Sequence, residues 1–318
     1  MQTKKFEKII NNEIIPVIIY NELPNNYKIQ KQNNNKKIIS KEFKKNNKQI
    51  KEKFYLYINK YISILNKNLI HCNLENTTNN IKNIKIEEKY SKRKSFLLNA
   101  SYYTKDNKII LYNKNHYKKS LSHELLHMSS TKKINDKLYL CGFAIVDFKA
   151  KKKYGTFINE GYTEYLNGKY FNNAEVYETQ MEFAKQLEKI IGVKLMEEMY
   201  FNADLKGLIS ELMTYKNTKN EVLEFILNTD IIHRFEYPIL PLNKLKVKKA
   251  ALQINAFLIK TYYVKLLKEE LSYEEILKQM IIYINELSNI NIGYKSNEYY
   301  IKETKEYYKK TQKKKLKQ

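Results

Sequence analysis

The sequence predicts an α+β chain, mostly helical. Three observations carry that expectation: apolar residues recur at helical spacing before residue 70 and again through most of the chain after residue 155; the stretch from 81 to 112 switches to alternation; and short polar turns separate the segments. With 318 residues and 43% hydrophobic side chains, the chain is long and apolar enough for a real core.

Residues 25–40, rich in Asn, Lys and Gln, read as an exposed spacer. Ser40 is placed to cap a long amphipathic helix on which Phe43, Ile50, Phe54, Tyr57, Tyr61 and Leu65 share a packing face. From Ile81 the period changes. Ile84 and Ile86 alternate with lysines, and residues 96–103 and 108–112 are β-prone runs around the turn 104–107, a hairpin leading into the next helix. Residues 138–148 are apolar enough for one more strand pair or a loop wall, bent at Gly142, and Gly155 precedes another helix.

The remainder reads as helical. Phe183, Ala184, Leu187, Ile190 and Ile191 form a stripe ended by Gly192; Ala251, Ile254, Leu258 and Tyr262 form another; Ser272 with Glu275 is a capping box. Pro238 and Pro241 punctuate a turn, and the lysine-dominated tail after 298 is expected to fray. The expected division is 1–79, helical; 80–150, sheet and histidine helix; 151–298, helical; and 299–318, basic tail.

Composition narrows the function classes. The 58 Lys+Arg against 34 Asp+Glu leave a net charge of +24, which suits acidic surfaces at low salt. Lys, Asn, Ile and Tyr, the residues of AT-rich codons, are all abundant, and no basic stripe with interleaved aromatics emerges, so no specific nucleic-acid partner is expected. No secretory leader and no apolar run near the roughly 20 residues of a membrane span is visible. The chain reads as cytoplasmic. Cys72 and Cys141 make no disulfide framework and read as buried, reduced thiols; His71 beside Cys72 is discounted as a ligand because neighbours on a helix or strand point apart.

The chemistry concentrates in His123-Glu124-Leu125-Leu126-His127. Positions i and i+4 share a helix face, so His123 and His127 can offer two imidazole nitrogens to one ion. Tyr117, Leu121, Leu125 and Met128 form the apolar stripe of that helix, which turns the histidines toward a cleft or solvent. Glu160 follows His127 by 33 positions, and Glu164 lies one helical turn further. Zn²⁺ takes three N or O ligands and leaves a fourth position where water is polarised. His123, His127 and Glu160 meet that demand. Glu124 is then the general base and acid, and Glu164 takes the free N–H of a ligand histidine, His123 rather than His127.

At these residues the chain resembles the gluzincin metallopeptidases, in which H-E-x-x-H is completed by a glutamate in an N-E-x-x-x-[DE] context on a following helix. The resemblance covers roughly residues 100 to 170. It implies a zincin-like core, with a small sheet above the H-E-x-x-H helix and a helical lower lobe, a peptide or protein substrate paired to the sheet's edge strand, and zinc as cofactor. The metzincin extension is excluded by Ser130 and Lys133, and the absence of a Gly-x-Met-Glu-Asn segment favours an endopeptidase. Thermolysin-like enzymes hold the oxyanion with a histidine and a tyrosine; His233 and Tyr237 are the candidates here, with Tyr170 and Tyr200 as alternatives. The rival readings are a catalytically inactive zincin-fold binding or regulatory protein, and a basic nucleic-acid binder in which the motif is incidental.

Overall fold

A computed structural model describes residues 50–90, 99–174, 176–236, 244–288 and 296–315. The spacer at 25–40, Ser40, Phe43, residues 96–98 of the first β-prone run, Tyr237, Pro238 and Pro241 lie outside the described residues.

The architecture is α+β and mostly helical. Helix α1 (Glu52–Asn68) buries Phe54, Ile58, Tyr61, Ile62 and Leu65; of the expected stripe Phe54, Tyr61 and Leu65 are buried, Tyr57 is half-buried and Ile50 precedes the helix. Helix α2 (Glu75–Ile81) follows, then three strands: β1 (Lys85–Glu88), β2 (Ala100–Tyr103) and β3 (Lys108–Leu111). Their order is β1-β3-β2, with β2 antiparallel and β1 parallel to β3. The expected hairpin is therefore present and carries a third strand. Its turn closes through a short 3-10 segment (Thr104–Asp106) that ends on Asn107 at φ +46°, a conformation asparagine tolerates.

Helix α3 (Tyr117–Ser129) carries the histidine motif and packs against β2, β3 and α2. Its last carbonyls have no partner within the helix. Neighbouring elements supply them: Asn80 Nδ2 donates to Met128 O at 2.8 Å and to Thr131 O at 2.7 Å, and Thr77 Oγ1 donates to Ser129 O at 3.3 Å. Tyr61 adds a bond to Ser129 Oγ at 2.8 Å, so α1 and α2 pin the end of the helix that holds His127.

The apolar run between the motifs is a four-stranded antiparallel meander, β4 (Thr131–Lys133), β5 (Leu138–Cys141), β6 (Ala144–Asp147) and β7 (Lys152–Tyr154), wider than the strand pair expected. Gly142 makes the β5–β6 bend at φ +53°, and a Cβ there would lie 2.3 Å from Asn159 Oδ1. Only glycine fits.

Helix α4 (Thr156–Phe171) carries the second motif. It starts on Gly155, and the N–H groups of Gly155 and Phe157 donate to the Asp230 carboxylate at 2.7 and 3.1 Å. That cap comes from a helix far along the chain rather than from a local side chain. The lower layer comprises α5 (Glu178–Ile191), α6 (Val193–Phe201), α7 (Leu205–Thr214), α8 (Lys219–Glu236), α9 (Lys244–Lys268), α10 (Tyr273–Ser288) and α11 (Asn297–Lys315). Gly192 ends α5 at φ +95°, and the Ser272/Glu275 box opens α10 with reciprocal bonds at 3.0 and 3.3 Å.

The tail corrects its expectation. Instead of fraying, residues 297–315 form α11, because Tyr300 and Thr304 bury against the rest of the core among the lysines. One continuous apolar core runs from Phe54 to Tyr300. Among the described residues no helix is long and apolar enough to cross a membrane.

Candidate metal centre

Helices α3 and α4 pack side by side and bring the two motifs together. Nε2 of His123 and Nε2 of His127 lie 3.0 Å apart, and Oε2 of Glu160 stands 3.3 Å from the first and 3.2 Å from the second. Three donor atoms thus form a nearly equilateral triangle. Bonds of about 2.0 Å opening at tetrahedral angles place ligand atoms about 3.3 Å apart, so this N, N, O set fits zinc in spacing and in chemistry.

Without a metal these groups compensate one another. Burial works against a charged imidazole, but the Glu160 and Glu164 carboxylates outweigh it and lift His123 to about 9. His127 is likewise raised well above its ordinary value, burial opposing and Glu160 and Cys141 raising it. Burial would push Glu160 up; the histidine charges instead hold it well below the usual carboxylate range. The triangle is a tight ion-pair cluster whose protons a divalent cation would displace.

Each ligand is oriented from behind. Glu164, 1% exposed, accepts from His123 Nδ1 at 2.7 Å through Oε2, while its Oε1 accepts from the Val176 N–H at 2.9 Å. Nδ1 of His127 has two acceptors within reach, Thr163 Oγ1 at 3.5 Å and Cys141 Sγ at 3.7 Å, with Asn159 Nδ2 at 3.3 Å on the same side. Asn159 Oδ1 is occupied by the Phe143 N–H at 3.1 Å. Thr163 is itself held by Tyr200 Oη at 2.7 Å.

Glu124 lies beside the triangle and does not join it. Burial raises its carboxyl above the usual range, partly countered by the charges of His123 and His127 and by the backbone N–H of Tyr102. That last contact shows which edge of the sheet meets the site. Strand β2 pairs only with β3 among the described residues, and its other edge faces Glu124. Residues 99–103 of this edge and the turn 104–106, with Ala144 and Val146 of the meander, Phe148 just after it, and Val176 and Tyr177, line a cleft of about 540 Å³ over His123, Glu124, His127 and Glu160.

The expected oxyanion residues fare differently. His233 lies on α8, its ring 6.4 Å from that of Tyr177. Tyr237 lies outside the described residues. Tyr170 donates to the Glu197 carboxylate and Tyr200 is wholly buried against Thr163, so neither offers its hydroxyl to the cleft. Tyr102, Tyr103 and Tyr177 line the cleft, and of these Tyr177, which no sequence pattern singles out, stacks its ring on His123 at 5.8 Å. Its backbone sits at φ +61°, a costly conformation for an aromatic residue. Among 28 tyrosines nothing in the sequence distinguishes it.

The chain matches no protein-family model, no curated protein and no solved structure. The functional reading therefore rests on the geometry of the site.

Proposed function

We propose that the chain is a zinc-dependent metallopeptidase with a zincin-like core, an endopeptidase acting on extended peptide or protein segments. The observation that carries this reading is the His123, His127, Glu160 triangle with an unliganded, buried glutamate beside it in an open cleft. Zinc held by the three donor atoms would supply Lewis acidity toward a water and toward a peptide carbonyl.

The chain's own residues account for the rest. Glu124, its proton affinity raised by burial, takes a proton from the attacking water and delivers it to the leaving amine. Glu164 keeps a proton on Nδ1 of His123, so that Nε2 presents its lone pair to the metal. The edge of β2 that has no strand partner among the described residues offers backbone groups to an extended substrate, which adds as a further strand and sets its carbonyl over the triangle. Tyr177, in the cleft against His123, is the phenol best placed to meet the developing oxyanion, with His233 behind it.

Glu124→Gln tests the assignment. The variant keeps one zinc at this site and its fold but loses hydrolysis of casein or a peptide library, while His127→Ala loses that zinc and the hydrolysis. Wild-type protein that binds zinc there and cleaves nothing would favour the inactive, binding-module reading; a Glu124→Gln variant with full activity would remove the proposed base.

A further inference from the structure

The loop joining α1 to α2 brings a second group of metal-ligand side chains together, beside α6 and the end of α4. His71 Nε2 lies 2.9 Å from Oε2 of Glu197 on α6. The ligand-type atoms of His71, Cys72 and Glu197 all fall within 4.8 Å of one another. Neighbours on a helix or strand would point apart. Residues 70–72 form a turn instead, and there both side chains reach the same carboxylate. Cys72 and Glu197 are each 1% exposed, and His71 stands at the rim.

Two features separate this group from an ordinary buried ion pair. Oε1 of Glu197 is already taken by Lys169 Nζ at 2.7 Å and by the Tyr170 hydroxyl, so the carboxylate's charge is compensated without His71. Its other oxygen is turned toward His71 and Cys72. His71 Nε2, although 2.9 Å from that oxygen, makes no hydrogen bond to it. A ring nitrogen that close to a carboxylate oxygen, with no hydrogen bond between them, leaves both atoms able to share a third partner.

We propose that His71, Cys72 and Glu197 form a second metal site, for a divalent ion that accepts mixed N, S and O ligands, of which zinc is the natural choice. Burial and the charges of Glu197 and Glu198 keep the Cys72 thiol protonated until the ion arrives; binding then forms the metal–sulfur bond and sends the thiol proton to solvent. Lys169 and Tyr170 hold the carboxylate from behind. The site ties the α1–α2 loop to α6, alongside the bond from Asn76 Nδ2 to Phe201 O at 2.9 Å. Because α2 also fixes the end of α3, the second ion acts as a structural clip behind the catalytic cleft.

Cobalt(II) titrated into the metal-stripped, full-length chain tests this, since a thiolate ligand gives cobalt a near-ultraviolet charge-transfer band that histidine and carboxylate ligands do not. The expected result is two equivalents bound, one of them with the band. Cys72→Ser should remove the band and one equivalent, and His71→Gln, at the exposed rim, should weaken that same equivalent. His127→Ala should remove the other equivalent and spare the band. Cys141→Ser, beside His127, should also spare it. A single equivalent without a thiolate band in the wild type overturns the proposal, as does a band that survives Cys72→Ser and disappears with Cys141→Ser.

Discussion

Gly161 faces the backbone of Gln180 so closely that a Cβ on it would lie 2.1 Å from the Gln180 carbonyl oxygen. The contact joins α4 to α5 and not to the helix of the two histidines. An alanine there must push α4 off α5, and the residue it carries along first is Glu160. Gly161→Ala is expected to destabilise the metal-free protein by about 1–3 kcal/mol through overpacking. It should also weaken zinc binding, because the third corner of the triangle moves. Urea denaturation of the stripped protein and zinc competition against a chelator read the two effects separately; unchanged values in both would mean the helices accommodate the methyl.

The start of the same helix depends on Asp230, which is 3% exposed and accepts from the Gly155 and Phe157 N–H groups at 2.7 and 3.1 Å. Removing the carboxylate leaves two buried donors without that acceptor. Asp230→Ala should cost about 2 kcal/mol of stability, the range of a lost charged helix cap. Denaturant midpoints with an unchanged m value are the check. A cost near zero would show that water replaces the cap.

These two contacts also show where sequence reading stops. His123 and His127 were legible because helix spacing puts them on one face with Glu124 beside them, and Glu160 with Glu164 because the H-E-x-x-H signature and the resemblance it carries ask for a carboxylate pair on a following helix. The α1 stripe, the hairpin and the Ser272/Glu275 box were legible for similar local reasons. Asp230 as a cap for α4, Glu197 as the partner of His71 and Cys72, and Tyr177 against His123 were not. Each pairs residues far apart along the chain or chosen from an abundant type, and no local pattern encodes such a pair. The tail erred in the same way: its lysines suggested fraying, while the burial of Tyr300 depends on a neighbouring helix.

The metal-free cluster sets a pH dependence with a definite sign. His123 is raised from 6.5 to about 9 by Glu160 and Glu164 against the opposing effect of burial, so the folded chain holds this proton more tightly than the unfolded chain. The resulting stabilisation is complete below 6.5 and disappears as pH rises through about 9. Tm of chelator-stripped protein should therefore fall across that window. Zinc must displace the same proton, so apparent zinc affinity should rise with pH over the same interval, and calorimetry in buffers of different ionisation heats should register proton release. A stripped protein whose Tm climbs between those pH values would contradict the ion-pair cluster.

Glu164 links the metal ligand to the cleft wall, one oxygen on His123 Nδ1 at 2.7 Å and the other on the Val176 N–H at 2.9 Å. Its negative charge fixes the ring tautomer and makes Nε2 a better donor, and its second bond positions the segment from which Tyr177 stacks on His123. Glu164→Gln preserves the shape and removes the charge, so it should weaken zinc binding by about 10- to 100-fold. A residue that merely filled space would leave zinc affinity unchanged in the isosteric variant. Glu164→Ala should lose more, because the Val176 N–H then has no acceptor in that direction and Tyr177 is free to leave the ring. Chelator competition measures both affinities, and equal affinity for wild type and Glu164→Gln would confine Glu164 to packing.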